Sequence, residues 1–175
     1  MAQDKSVGRM VGTSHRVEGF YAFAGLVVSF LIVFCVATLG NLATEPALVP
    51  WYRDLLKPVW TPPNIAFPIA WSLLFSAMAI ASWRVWRTGP GRAEVRGALT
   101  IYAGQLLCNV AWPFGFFYMQ NPGLGIVLVI PLFAGVAMTL RAFWPIDRTA
   151  GMLFVPYLAW VGFAAALNVT IAALN

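Results

Sequence analysis

Five long apolar runs, each close to the length of a membrane-spanning helix, divide this chain of 175 residues. Phe20–Gly40, Gly97–Tyr118 and Met152–Asn175 hold no charged residue, and Ile65–Trp83 and Gly123–Leu140 end directly before Arg84 and Arg141. A hydrocarbon core ~30 Å thick takes about 20 apolar residues in a helix. The pattern therefore predicts spans at about 20–40, 65–86, 97–118, 123–143 and 152–174, a polar N-terminal extension over 1–19 and a lid-like connection over 41–64. The runs are apolar on nearly every side and do not alternate, which excludes a β-barrel. The fold class read from the pattern is an all-α integral membrane protein, a five-transmembrane-helix bundle in one domain over 20–175. The first run exceeds an ordinary signal-peptide apolar region, and Ala22, Ala24 and Ala37 form no clear cleavage site, so it is expected to be retained as a span.

Composition strengthens this reading. With 61% of residues hydrophobic, 10% charged and a mean hydropathy of +0.78, the chain lacks the polar surface of a soluble globule. The charges also give a direction. Lys5, Arg9 and Arg16, then Arg84, Arg87, Arg92 and Arg96, then Arg141 and Arg148 fall on one side of the expected topology, against Arg53 and Lys57 on the other. In a cytoplasmic membrane this bias predicts a cytoplasmic N-terminus and an outer C-terminus in a multi-pass protein. The net charge of +5 follows from that topology, and no separate basic module for nucleic acid is present.

Several chemistries are disfavoured by the same residues. Cys35 and Cys108 lie inside spans and the single histidine, His15, lies in the polar extension, so no Cys/His metal cluster is expected. All six carboxylates sit in tails or connections, which argues against a proton-coupled pump and against ordinary hydrolysis. Ser72, Ser76 and Ser82 read as small residues bonded to their own helix backbone. No metal and no required cofactor are expected.

Binding is better supported. The connection 41–64 holds five prolines, Pro62 and Pro63 among them, together with Trp51 and Trp60. Such a mixture fixes the backbone and supplies broad apolar faces, as a lid would. Tryptophans that simply anchor at the lipid interface are an equal reading. Tyr102, Gln105, Asn109, Trp112 and Phe116 share one face of the third helix. Tyr157, Trp160, Ala164 and Asn168 make a second stripe, and Phe67, Trp71, Phe75, Met78 and Ser82 a third. Counting ~1.5 Å per residue places Trp71, Asn109, Trp112 and Asn168 at one depth, on the side of the long connection. Two readings stand open: an aromatic pocket beneath the connection, suited to a large, flat, mostly apolar ligand, or amides that only bond helix to helix. Gly25 with Ser29, Ala77 with Ala81, Gly135 with Thr139 and Gly162 with Ala166 permit close helix approach, internally or in a homodimer.

Taken together, these residues resemble the TspO/MBR family, which comprises the translocator proteins, tryptophan-rich sensory proteins and peripheral benzodiazepine receptor relatives. Trp51-Tyr52 followed by Lys57-Pro58-Val59-Trp60-Thr61-Pro62-Pro63 is similar to the family's loop signature, and it continues into Phe67-Pro68 and Trp71. Tyr102, Gln105-Leu106, Asn109, Trp112 and Phe116-Phe117 resemble its third-helix pattern. Pro156-Tyr157-Leu158-Ala159-Trp160 with Leu167-Asn168 resembles its fifth-helix pattern. The resemblance covers roughly residues 20–175.

It implies a usually dimeric five-helix bundle that binds porphyrins such as protoporphyrin IX and haem, often sterols, and benzodiazepine-type ligands in a pocket closed by the first loop. On that resemblance the chain is expected to be a membrane receptor or regulator of tetrapyrrole handling and stress response. Trp71, Trp160 and Trp112 match pocket tryptophans, and Gln105 and Asn109 match polar third-helix positions. The expected binding set also takes in Trp51, Trp60, Pro62, Pro63, Phe67, Phe75, Tyr102, Tyr157, Ala164 and Asn168. The alternatives are a light-dependent porphyrin-degrading enzyme, with Trp71 or Trp160 as reactive residues, and a porphyrin or sterol transporter. For the transporter, five unlike helices offer no internal repeat. The vertebrate sterol-recognition string is missing after Asn168, where the chain reads Val-Thr-Ile-Ala-Ala-Leu-Asn.

Overall fold

The computed structural model describes the backbone of residues 4–175 and the side chains from Gly19 onward. Expectations about residues 1–3, and about His15 and the other side chains of 1–18, lie outside the described residues. Five α-helices follow one another: α1 (Asp4–Ala47), α2 (Ala66–Arg87), α3 (Ala93–Pro113), α4 (Pro122–Phe143) and α5 (Arg148–Leu174). Among the described residues there is no strand. The helices pack as a ring in which α1 touches α2 and α3, α3 touches α4, α4 touches α5, and α5 returns to α2.

Helix boundaries differ from the expected ones where polar residues extend a helix beyond the hydrocarbon. α1 continues past Gly40 through Asn41–Ala47, because nothing breaks a helix before Pro46 and Thr44 donates its hydroxyl back to the Gly40 carbonyl at 2.8 Å. The connection is correspondingly shorter than 41–64. It begins with a wide π turn, Leu48–Tyr52, kinked at Val49, whose backbone is extended (φ −136°, ψ 126°). α3 likewise begins at Ala93, with Glu94 in its first turn, where a carboxylate complements the helix dipole. At its other end Pro113 lacks the N–H that would continue the ladder, and a second π turn, Phe114–Tyr118, follows. Asn121 and Asp147 cap α4 and α5, their side chains accepting from Leu124 N at 2.9 Å and Ala150 N at 2.8 Å.

α1, α2, α4 and α5 are each long and apolar enough to cross a membrane. α3 is less apolar because it carries Gln105 and Asn109, but both point inward and are buried, so its neighbours and not lipid meet its polar face. The outer surface is the inverse of a soluble protein's: Phe34, Leu73, Leu107 and Ile130 are among the most exposed side chains. These features make the chain a multi-pass integral membrane protein built as a five-helix bundle.

Close packing uses the small residues. Trp86 lies directly against Gly25, and Trp83 donates its indole N–H to the Ala22 carbonyl at 2.7 Å, docking α2 on α1. Gly135 faces Gln105 and Gly162 faces Phe133, so these glycines serve contacts inside the bundle. Ser72, Ser76 and Ser82 donate to Pro68 O, Ser72 O and Ala79 O of their own helix, as expected for small backbone-bonded residues.

Candidate functional site

The candidate residues converge at the loop end of the bundle in two adjoining groups. In the first, α2 presents Phe67, Trp71 and Phe75 towards α5. Trp71 lies 5.5 Å from Phe75 and 6.2 Å from Tyr157 between ring centroids, and Phe67 lies 6.0 Å from Trp160. Trp60 comes down from the connection onto Phe163, centroids 5.7 Å apart, and Trp160 meets the same Phe163 at 5.5 Å. In the second group Trp51 and Tyr52, from the π turn after α1, cover Phe116 and Phe117. Trp112 stacks on Phe116 at 5.6 Å with 22° between planes. The tryptophans Trp51 and Trp60 thus pack on the π turn after α3 and on α5. Trp60 remains 46% exposed, and Pro63 lies exposed beside the half-buried Pro62.

The amides form a separate hydrogen-bonded spine. The Tyr157 hydroxyl, fully buried, accepts from Gln105 Nε2 at 2.7 Å and from Asn109 Nδ2. One turn further along α3, the Trp112 indole N–H donates to Asn168 Oδ1 at 3.2 Å. Asn168 Nδ2 in turn donates to the Pro122 carbonyl at 2.8 Å. Gln105, Asn109 and Asn168 therefore join α3 to α5 and α5 to α4. The spine meets the aromatic groups through Tyr157, which packs on Trp71, and Trp112, which stacks on Phe116. Tyr102 sits deeper, against Phe143 and Phe154, and Ala164 is half-buried one turn beyond Trp160.

Three buried polar atoms have no partner among the described residues: Trp160 Nε1, Gln105 Oε1 and Tyr102 OH. An orphaned buried donor or acceptor costs about 1–3 kcal/mol. The Trp160 N–H is the notable one, since Trp160 belongs to the aromatic group beneath Trp60. The rings there pack on one another at centroid distances of 5.5–6.2 Å. Two surface grooves lie elsewhere, one between α3 and α4 and one along Leu26–Phe34 of α1.

The connection is secured at its middle. Asn175 accepts from Leu56 N at 3.0 Å and donates to Leu56 O at 3.1 Å and to Ile171 O at 2.8 Å, a reciprocal amide pairing that ties the loop to the end of α5. Lys57 donates to Arg53 O and Leu55 O, and its ammonium lies 4.6 Å from the Tyr52 ring centroid. Burial lowers the Lys57 ammonium pKa from its ordinary value, with Asp54 partly opposing. Phe163 and Asn175 were not singled out from the sequence. Phe163 had a weak signal in its spacing of three from Trp160, whereas a terminal asparagine has none.

Comparison with known proteins agrees with this architecture. The TspO/MBR family matches over residues 28–174. A tryptophan-rich protein TspO from Chlorobaculum tepidum is 38% identical over 152 residues, covering 86% of this chain and 96% of its own length. A tryptophan-rich sensory protein from Cereibacter sphaeroides is 39% identical over 151 residues, 83% of this chain and 91% of the relative. The human translocator protein is 37% identical over 119 residues, 67% of this chain and 70% of its own. With a match from the second half of α1 through the end of α5, the chain belongs to the TspO/MBR family.

Proposed function

We propose that the protein is a membrane receptor that takes up a flat tetrapyrrole, such as protoporphyrin IX or haem, between the aromatic faces of α2 and α5 beneath the loop. The observation that supports this reading is the packing of Phe67 and Phe163 on Trp160, with Trp60 on Phe163 and Trp71 on Tyr157, around a buried Trp160 indole N–H that has no partner among the described residues. A macrocycle offers broad apolar faces to such rings and a few polar edge atoms to that N–H. Because the rings rest on one another, entry requires Trp60 to lift from Phe163 and Phe67 to part from Trp160 around the ligand.

Dark titration of the detergent-purified protein with protoporphyrin IX, read by tryptophan fluorescence, tests the reading. Saturable quenching that weakens by about tenfold or more in Trp71→Ala and Trp160→Ala is expected, the effect of removing one stacking face. Linear quenching, alike in all three proteins, would reduce binding to partition into the micelle and refute the site.

A further inference from the structure

The connection between α1 and α2 is held by contacts of two different kinds. Its first half is part of the bundle. Trp51, Tyr52 and Leu55 pack with Phe116, Leu167 and Ile171, and Lys57 folds back to donate to the Arg53 and Leu55 carbonyls at 3.1 and 3.0 Å. This half ends at Leu56, whose side chain is 62% exposed, so what holds the residue is its backbone. Asn175 pairs with both backbone polar groups of Leu56 at once, and its Nδ2 also donates to the carbonyl of Ile171, a residue buried in the same cluster. Leu56 cannot swing away without breaking two hydrogen bonds.

The second half is stiff within itself and lightly attached. Pro58, Pro62 and Pro63 fix three φ angles, and Thr61 closes a turn by donating its N–H and its hydroxyl to the Pro58 carbonyl at 3.0 and 2.7 Å. Among the described residues, the hydrogen bonds of 58–64 stay inside the segment or reach only Ala66 and Phe67 at the start of α2. Trp60 on Phe163 supplies its aromatic contact with α5, and Val59 beside Trp60 is fully exposed.

We propose that Asn175 is a latch that divides the connection: Leu56 stays on the bundle while Pro58–Asn64 swings as one flap when Trp60 leaves Phe163. The flap turns at Lys57 on one side and at Asn64 and Ile65 on the other. The latch thereby sets how wide the mouth over Phe67 and Trp160 opens. That consequence rests on the tetrapyrrole reading, whereas the division of the connection does not. Asn175 acts on the ligand only through the loop, as a positioning residue. Its bonds to Leu56 are the same with the ligand absent or bound, so losing them changes the rates of entry and exit and not the equilibrium between them.

Two measurements test the proposal. In the ligand-free protein in micelles, amide exchange followed by NMR should show Leu56 protected and Val59 and Trp60 exchanging freely. Trp60→Ala, which removes the flap's contact with Phe163, should leave the Leu56 amide as protected as in wild type. In stopped-flow quenching with protoporphyrin IX in the dark, Asn175→Ala should raise association and dissociation together by roughly tenfold, the worth of two ordinary hydrogen bonds, with Kd kept within about twofold and the melting temperature unchanged. Loss of Leu56 protection in Trp60→Ala would mean that the connection moves as one piece, and would overturn the proposal. So would unaltered rates in Asn175→Ala, or a weaker Kd with an unaltered association rate, which would make Asn175 a support of the site and not a latch. Linear quenching in the wild type would refute the tetrapyrrole reading, and the Leu56 amide in Trp60→Ala would still decide whether the connection is divided.

Discussion

Replacing Tyr157 by phenylalanine isolates the polar spine from the aromatic group above it. The ring and its contacts with Trp71 and Phe154 are kept, and only the hydroxyl that accepts from Gln105 and Asn109 is removed. Gln105 is 1% exposed and Asn109 6%, so neither freed N–H can turn to water. Interhelical hydrogen bonds in membranes are worth about 0.6–2 kcal/mol each, and a stranded buried donor costs about 1–3 kcal/mol. Two bonds lost together should destabilise the bundle by about 2–4 kcal/mol. Reversible unfolding in mixed SDS and dodecyl maltoside micelles measures this. Adding Gln105→Leu should cost less than the sum of the single changes, since the second substitution removes a donor the first has already orphaned, with a coupling of about 1 kcal/mol. A Tyr157→Phe protein that unfolds within about 0.5 kcal/mol of wild type would refute the claim that these amides hold α3 to α5.

Three further outcomes follow from single contacts. A Cβ at Gly125 would stand 2.5 Å from Asn168 Oδ1 and 2.7 Å from Phe116 Cδ2, so Gly125→Ala should push Asn168 off Trp112 and cost about 1–3 kcal/mol in the same assay; an unchanged midpoint would contradict the packing. Asn175→Ala removes the pairing with Leu56 and should speed tryptic cleavage after Arg53 by roughly tenfold while the unfolding midpoint stays put. Asp147 pairs with Arg84 at 2.9 Å and caps α5; although burial pushes its carboxyl up, Arg84 and the Ala150 amide hold it below the usual carboxylate range. Its folded pKa being depressed, the stabilisation is present above the unfolded value of about 3.9 and is lost as pH falls through the folded value. Melting curves from pH 6 downward should therefore be flatter for Asp147→Asn than for wild type, by less than about 1 kcal/mol for this half-screened pair; parallel curves would remove the effect.

The spans were legible because membrane helices are written as uncharged runs, and no tertiary contact is needed to read them. Their ends were not, because charged residues such as Arg92, Glu94 and Arg96 stop the hydrocarbon but not the helix. The stripes Tyr102–Gln105–Asn109–Trp112 and Tyr157–Trp160–Asn168 were legible as inward faces. Their partners were not: periodicity places Gln105 and Asn109 on one face of α3 but says nothing of which hydroxyl on α5 they reach. The same limit hid the ring contacts, since spacing gives aromatic faces without showing that Phe67 rests on Trp160. Trp83, Trp86 and Gly25 were visible as residues, yet docking of an indole onto a glycine of the preceding helix depends on register between helices. Asn175, at a helix terminus with a non-local partner in Leu56, carries no local signal.

Hydrogen exchange with and without protoporphyrin IX in the dark bears most directly on the claim that the aromatic group under the loop is the ligand site. Bound pigment should change exchange in the loop around Val59–Thr61 and at the loop ends of α2 and α5, near Phe67 and Phe163, while the groove residues of α3 and α4 at the arginine-rich end stay unaltered. Protection confined to the outer face of α1, or to that far groove, would contradict the account.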